Sequence, residues 1–229
     1  MEEVTENFTR LELDAFLDRV AERAPVPGGG AVAAMVGALS CALARMVTAY
    51  SITKKLSEAD RERVEDLAGR LRITDELMRA LITQDAEAYA RLAEATTKRK
   101  AALPGSTPGS AREVEAEHGQ TLAATEEEYQ AALAGAIAVP LQIVGLAAQT
   151  LSLLSDLGPL ANRFLLSDFG AAAVLSEAAA SAAGFMVRVN AGSIADSDRR
   201  GKVLSDLEAM LDRCRARTDV LRHAAASRA

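Results

Sequence analysis

Apolar residues recur along most of this chain at spacings of three and four, the repeat that lines one face of a helix. Leu13, Phe16, Leu17 and Val20 share such a face, and Thr9 with Glu12 stands ahead of them at capping-box spacing. This first helix stops at Pro25-Val26-Pro27-Gly28-Gly29-Gly30, and a second is predicted over about 31–52. Ser57 and Asp60 repeat the capping spacing and open a long helix to about residue 97, with Val64, Leu67, Leu71, Met78, Leu81 and Leu92 on one seam. Pro104, Gly105, Pro108 and Gly109 mark about 103–120 as a loop. Helices follow over about 121–154, 167–190 and 199–224. The first of these should kink at Pro140, whose ring clashes with the preceding turn. The last carries Val203, Leu207, Met210, Cys214 and Leu221 on one side. No run alternates as a strand would, and no internal repeat is visible. The chain therefore reads as all-α: one domain over 1–229, a single bundle of about six to eight helices with long Ala-rich core helices.

Composition sharpens this picture. Of 229 residues, 49% are hydrophobic and 25% charged, enough for a sizeable core in a globular chain. Ala supplies about a fifth of them and is the strongest helix former. A net charge of -6 and only 3% aromatic residues argue against a nucleic-acid partner, which needs a basic surface and stacking rings. Cys41 and Cys214 are the only cysteines and sit in apolar helical stretches; the acidic N-terminus lacks a signal-peptide layout. The expectation is a cytoplasmic protein with reduced core thiols. With two histidines, no Cys/His metal site and no histidine triad are expected. Residues 28–50 and 133–154 are long enough to cross a bilayer. Their Ala and Gly gain little from lipid, and Arg45, Pro140, Gln142 and Gln149 interrupt them, so buried helices are expected rather than membrane spans.

Asp85 falls on the apolar seam of the long helix. A carboxylate there is paired, caps a neighbouring helix, or has its pKa raised by desolvation, and a raised pKa suits a general acid. Gly28, Gly29 and Gly30 allow close approach of a ligand or a backbone at a positive helix end. The Lys-Ser/Thr of a phosphate-binding loop is missing, and no strand precedes the glycines, so neither nucleotide fingerprint applies. Lys54 and Lys55 close the second helix, where cations favour the dipole. Asn162, Ser167 and Asp168 lie at the start of the fifth predicted helix; Arg188 and Asn190 lie near its end. A straight helix separates Asp168 from Asn190 by about 33 Å. Either the helix breaks, for instance at Gly184, or the residues serve different sites, including sites across a dimer interface.

In order, PVPGGGAVAAMVGALSCALARMV (25–47), Lys54-Lys55, DAEAY (85–89), VPL (139–141), SDFGAAA (167–173) and VRVNAGSIAD (187–196) resemble the formiminotetrahydrofolate cyclodeaminase / methenyltetrahydrofolate cyclohydrolase family. The resemblance implies an all-helical homodimer with folate in a cleft near the subunit interface. The chemistry it implies is on the one-carbon unit between N5 and N10 of tetrahydrofolate. One reaction closes 5-formimidoyltetrahydrofolate to 5,10-methenyltetrahydrofolate and releases ammonia, the leading expectation; the other opens the methenyl bridge with water to 10-formyltetrahydrofolate. A non-catalytic folate-binding homologue is a third possibility. Both reactions pass through a tetrahedral carbon and call for proton transfer, with no cofactor or metal beyond the folate itself.

By this resemblance Asp85 is the acid/base and Lys54 joins it in the catalytic set. Lys54 and Arg188 are also candidates for the glutamate carboxylates of folate, Arg188 in bidentate fashion. Asn162, Asp168 and Asn190 would meet the pterin edge or orient the acid, and Gly28, Gly29, Gly30 and Lys55 complete the binding set. The chain departs from the family pattern where Phe164 and Met186 stand in place of asparagines, where Leu56 replaces an aromatic, and in a longer 103–120 loop.

Overall fold

The computed structural model describes residues 7–102 and 115–228, with side chains of the second span from 122 onward. Among the described residues six α-helices carry the fold: α1 (Leu13–Ala21), α2 (Gly29–Ser51), α3 (Glu58–Ala102), α4 (Glu115–Leu157), α5 (Leu166–Ala191) and α6 (Ser197–Arg228). Single 3-10 turns stand at Phe8–Arg10, Gly158–Leu160 and Arg163–Leu165, and no strand occurs among the described residues. The all-α expectation holds. The helix after the loop already begins at Glu115, while residues 103–114 of the expected loop lie outside the described residues.

α2 packs against α3 and α5, and α4 against the same two helices, so α2–α3–α4–α5 close a ring with α6 laid along α5 and α4. Directions alternate around it. Ala31 meets Asp85 and Arg45 meets Asp75, so α2 and α3 run antiparallel. Cys41 of α2 meets Thr150 of α4 across the ring. Asn190 near the end of α5 meets Ala136 of α4, and Phe169 near its start lies by Gly158 just past the end of α4, so α4 and α5 run antiparallel. Small side chains let α2 and α5 approach closely: Ala31, Ala34, Ala38, Ala44, Ala172, Ala173, Ala180 and Ala183 are all buried. At their crossing the Ser40 hydroxyl donates to the Ala172 carbonyl at 2.7 Å and meets the Ser176 hydroxyl at 2.7 Å.

By length and composition three stretches are apolar enough to cross a membrane: Gly29–Ser51, Leu122–Leu160 and Arg163–Ala191. The first two correspond to the stretches expected from sequence, and the third is additional. In the bundle, these stretches spend their apolar faces on each other. Cys41 and Cys214 are buried free thiols, and burial pushes Cys41 up to about 11.

Local details differ from the sequence reading for identifiable reasons. Ser57 does cap α3: its hydroxyl accepts the Asp60 N–H at 3.1 Å and donates to the Asp60 carboxylate at 2.8 Å. Thr9 caps nothing. Asn7 accepts the Thr9 N–H at 3.1 Å and opens a 3-10 turn that buries Phe8, while Glu12 precedes α1 without a side-chain cap. On α1 only Phe16 is buried; Leu13 and Leu17 are exposed. The buried seam of α6 is Leu207, Leu211, Cys214, Thr218, Leu221 and Ala225; Leu207, Cys214 and Leu221 are as read from sequence, and Val203 and Met210 pack partly buried at its margin. Pro140 lies inside α4, which continues through it.

Candidate active site

The N-terminus of α2 and the middle of α3 meet at one point. α2 opens directly after the proline-glycine turn, whose Val26–Pro27 peptide is cis, and Gly28 offers no side-chain cap. First-turn N–H groups have no partner within a helix. That of Ala31 finds one in another element, donating to Asp85 Oδ2 at 3.0 Å. Asp85 therefore caps a helix other than its own. Gly30 makes the room: a methyl group there would lie 2.0 Å from Asp85 Oδ1 and 2.4 Å from its Cγ.

A cavity of about 340 Å³ opens beside this junction. Pro25, Val26 and the three glycines form one wall, Asp85, Ala88, Tyr89 and Leu92 of α3 a second, Ala136 of α4 a third, and Met186, Val189 and Asn190 of α5 the last. The walls are mostly apolar, and Asp85 is their one ionisable carboxyl. Burial raises its pKa above the ordinary 3.8, and the hydrogen bond from Ala31 opposes the rise. Among the described residues, the surroundings that set this acidity include no counter-charge. The upward shift favours the protonated carboxyl, the form that can release a proton to a basic atom in the cavity. Across from it, Asn190 Nδ2 donates to the Ala136 carbonyl at 2.7 Å. Met186, one of the departures from the family pattern, lies against Gly29: its terminal methyl is 3.3 Å from where a Cβ would stand.

The structure divides the remaining residues chosen from sequence. Lys54 and Lys55 are exposed in the turn after α2, about 33 Å along that helix from its glycines. Asn162 is at that end as well: its Nδ2 donates to the Tyr50 carbonyl at 2.9 Å, and its Oδ1 accepts the Phe164 N–H at 3.0 Å. Asp168 follows in the first turn of α5. α5 runs unbroken through Gly184, so the break that would have joined Asp168 to Asn190 is absent. Phe164, the other departure, is 76% exposed at this far end. Arg188 turns from the cavity to α6, where Nε and Nη2 grip the Glu208 carboxylate at 2.8 and 3.1 Å, with its guanidinium 5.5 Å from the Phe185 ring centre. One chain thus unites Gly28, Gly29, Gly30, Asp85 and Asn190. It holds Lys54, Lys55, Asn162 and Asp168 together elsewhere, and commits Arg188 to an ion pair.

Sequence reasoning passed over Tyr89 as a cavity residue, although it stands one turn beyond Asp85 on the same face. It also passed over Asp75, which lies on the Asp85 seam four residues after Leu71 and three before Met78. Asp75 is 1% exposed and held by two arginines: Arg79 donates through Nε at 2.8 Å and Nη2 at 3.4 Å, and Arg45 through Nη1. Among the described residues no three His, Cys, Asp or Glu side chains gather where a metal ion could sit.

A model of the formiminotransferase-cyclodeaminase family matches residues 12–209, a stretch that takes in the whole cavity. The chain belongs to that family. Within the formiminotransferase-cyclodeaminase relatives, it is 31% identical over 202 residues to a methenyltetrahydrofolate cyclohydrolase of Methylorubrum extorquens, covering 87% of this chain and 88% of that one. It is 29% identical over 199 residues to the formimidoyltransferase-cyclodeaminase of Rattus norvegicus, covering 87% of this chain but only 34% of the longer rat protein. Among solved structures it is similar to the formiminotetrahydrofolate cyclodeaminase of Thermotoga maritima, with a TM-score of 0.74 at 28% identity, over 93% of this chain and 96% of that one.

Proposed function

We propose that this protein is a folate one-carbon enzyme that closes 5-formimidoyltetrahydrofolate to 5,10-methenyltetrahydrofolate and releases ammonia, with Asp85 as its general acid and base. The observation that carries the reading is the placement of Asp85: a desolvated carboxyl with no counter-charge, facing a cavity beside the glycines of α2. Attack of N10 on the formimidoyl carbon gives a tetrahedral carbon bearing three nitrogens. Its collapse requires a proton on the departing nitrogen, which a neutral Asp85 can deliver; the resulting carboxylate is held by the Ala31 N–H and can take a proton from N10. The likeness to the Thermotoga and rat proteins supports this direction.

The second reading is hydrolysis of 5,10-methenyltetrahydrofolate to 10-formyltetrahydrofolate, favoured by the near full-length match to the Methylorubrum protein. The same carboxyl would then activate water against the same carbon. In either case the folate itself is the only cofactor proposed. Lys54, Lys55, Asn162 and Asp168 enter through a homodimer, in which the far end of a second chain meets the cavity mouth of the first. The exposed Phe185 and Val189 at that mouth support such a contact. A cytoplasmic location accompanies this reading.

Absorbance decides between the reactions, because the methenyl chromophore appears in one and disappears in the other. Growth of the signal from 5-formimidoyltetrahydrofolate is the expected result. Accelerated loss of the signal from 5,10-methenyltetrahydrofolate alone would establish the second reading. Rates no faster than without protein for both substrates would overturn the enzyme reading.

A further inference from the structure

Pro140 and Asn190 meet on a single carbonyl. In a helix the carbonyl of residue 136 accepts the N–H of residue 140. Proline has no N–H, and its ring crowds that same carbonyl. α4 nevertheless continues through Pro140, so the Ala136 carbonyl is left over in mid-helix. Asn190 of α5 fills the vacancy, its Nδ2 donating to the Ala136 oxygen at 2.7 Å. Ala136 and Asn190 line the cavity that holds Asp85.

An asparagine amide has one half that donates and one that accepts, and a carbonyl only accepts. Flipping this side chain would set oxygen against oxygen. We propose that Pro140 is a positioning residue: by withdrawing the N–H that would otherwise occupy the Ala136 carbonyl, it locks the amide of Asn190 so that Oδ1 accepts a hydrogen bond from an N–H group of the ligand in the cavity. Oδ1 has no protein donor among the described residues, which leaves it for that purpose. A proline in a helix interior weakens the helix; here the weakness creates an interaction that a regular helix would have used up. The inference rests on the folate reading for its choice of probe. A pterin carries ring and exocyclic N–H groups that such an oxygen can recognise.

The test uses the full-length chain as Pro140→Ala, Asn190→Ala and the double variant. In ligand-free wild type, the Asn190 side-chain amide, assigned by its disappearance in Asn190→Ala, is expected to show one downfield proton protected from solvent exchange. Pro140→Ala restores the backbone N–H and should abolish that signature while raising Tm. Binding of 5-formyltetrahydrofolate, measured by calorimetry, should weaken about five- to tenfold in Pro140→Ala, the loss of roughly one oriented hydrogen bond. In the Asn190→Ala background, Pro140→Ala should leave the Kd unchanged and recover stability, since the Ala136 carbonyl regains a donor. A gain in stability with a loss of affinity is an outcome that a merely structural proline would not produce. Unchanged Asn190 signals in Pro140→Ala, undiminished binding, or an equal loss in the Asn190→Ala background would each overturn the proposal. Failure of the wild type to bind the probe would sink the folate reading instead, and the amide signal would still decide whether Pro140 orients Asn190.

Discussion

Asp75 and Asp85 sit ten residues apart on one seam of α3, facing the same neighbour, and their surroundings are opposite. Asp75 is sealed in the core between Arg45 and Arg79. Asp85 meets one backbone N–H and a cavity. A carboxylate on an apolar stripe is thus made structural or reactive by what the facing helix brings to it. Opposite Asp75, α2 presents a guanidinium; opposite Asp85, it presents glycine and its own uncapped first turn. The first arrangement spends the charge on a pair. The second leaves a proton free to move.

The largest expected contrast is in turnover. Asp85→Asn keeps an acceptor for the Ala31 N–H but loses the exchangeable proton, and folate turnover should fall about a thousandfold with the helical content intact. Measuring turnover beside circular dichroism checks this, and activity within a few-fold of wild type would end the assignment of Asp85. Gly30→Ala attacks the same acid from the other helix. Its methyl would displace the carboxyl, so turnover should fall about a hundredfold, the scale of a misplacement near 1 Å. Thermal stability should fall modestly, because the displaced carboxyl no longer caps the Ala31 N–H.

Asp75→Asn should give the inverse result. Both arginines lose the charge they pair with but keep one acceptor oxygen and half-exposed heads that water can reach, so urea titration should show a loss of about 2 kcal/mol, below that of a fully buried pair. Turnover of the folded fraction should be nearly unchanged. Stability as a function of pH separates the two further. The folded chain holds the Asp85 proton more tightly than the unfolded chain does, so folding takes up a proton between pH 3.8 and the higher folded value. The stability this contributes is complete below 3.8 and is lost as pH rises through the folded pKa. Tm curves of wild type and Asp85→Asn should therefore diverge as pH rises across that window, with the variant declining less. The smallest effect is assigned to Arg79→Ala. Arg45 still holds Asp75, and Arg79 is half exposed, so a cost of about 0.5 kcal/mol is expected from the same urea titrations.

Sequence made the helices and Asp85 readable because both follow from spacing. The seam of α3 is a count of threes and fours, and the Ser57–Asp60 cap is local chemistry. What spacing does not carry is the identity of the facing element. Asp75 was on the same count as Asp85 and went unnoticed until Arg45, thirty residues away, appeared beside it. Arg188 reads as a ligand-gripping residue from the resemblance of its motif, but it stands two positions before Asn190 on α5, a rotation of about 200°, enough to aim it at Glu208 on α6 instead. Leu13 and Leu17 formed a fair amphipathic face on paper, yet the face that α1 buries is the one carrying Phe16. The separation of Lys54 from Asp85 was computable from helix length once α2 was known to be straight and unbroken.

The ring of four helices has a further consequence, for the order in which the molecule is made. Three of its seams join consecutive helices, but the α2–α5 seam ties Ser40 to Ala172, 132 residues apart. Closing so long a loop carries the greatest entropic cost of the four. The cavity has walls from α2, α3, α4 and α5, so it exists only once that seam is shut. Until then Asp85 stands in water with the acidity of any exposed aspartate, and the nascent chain is chemically mute. Catalytic competence waits on the closure of that one seam.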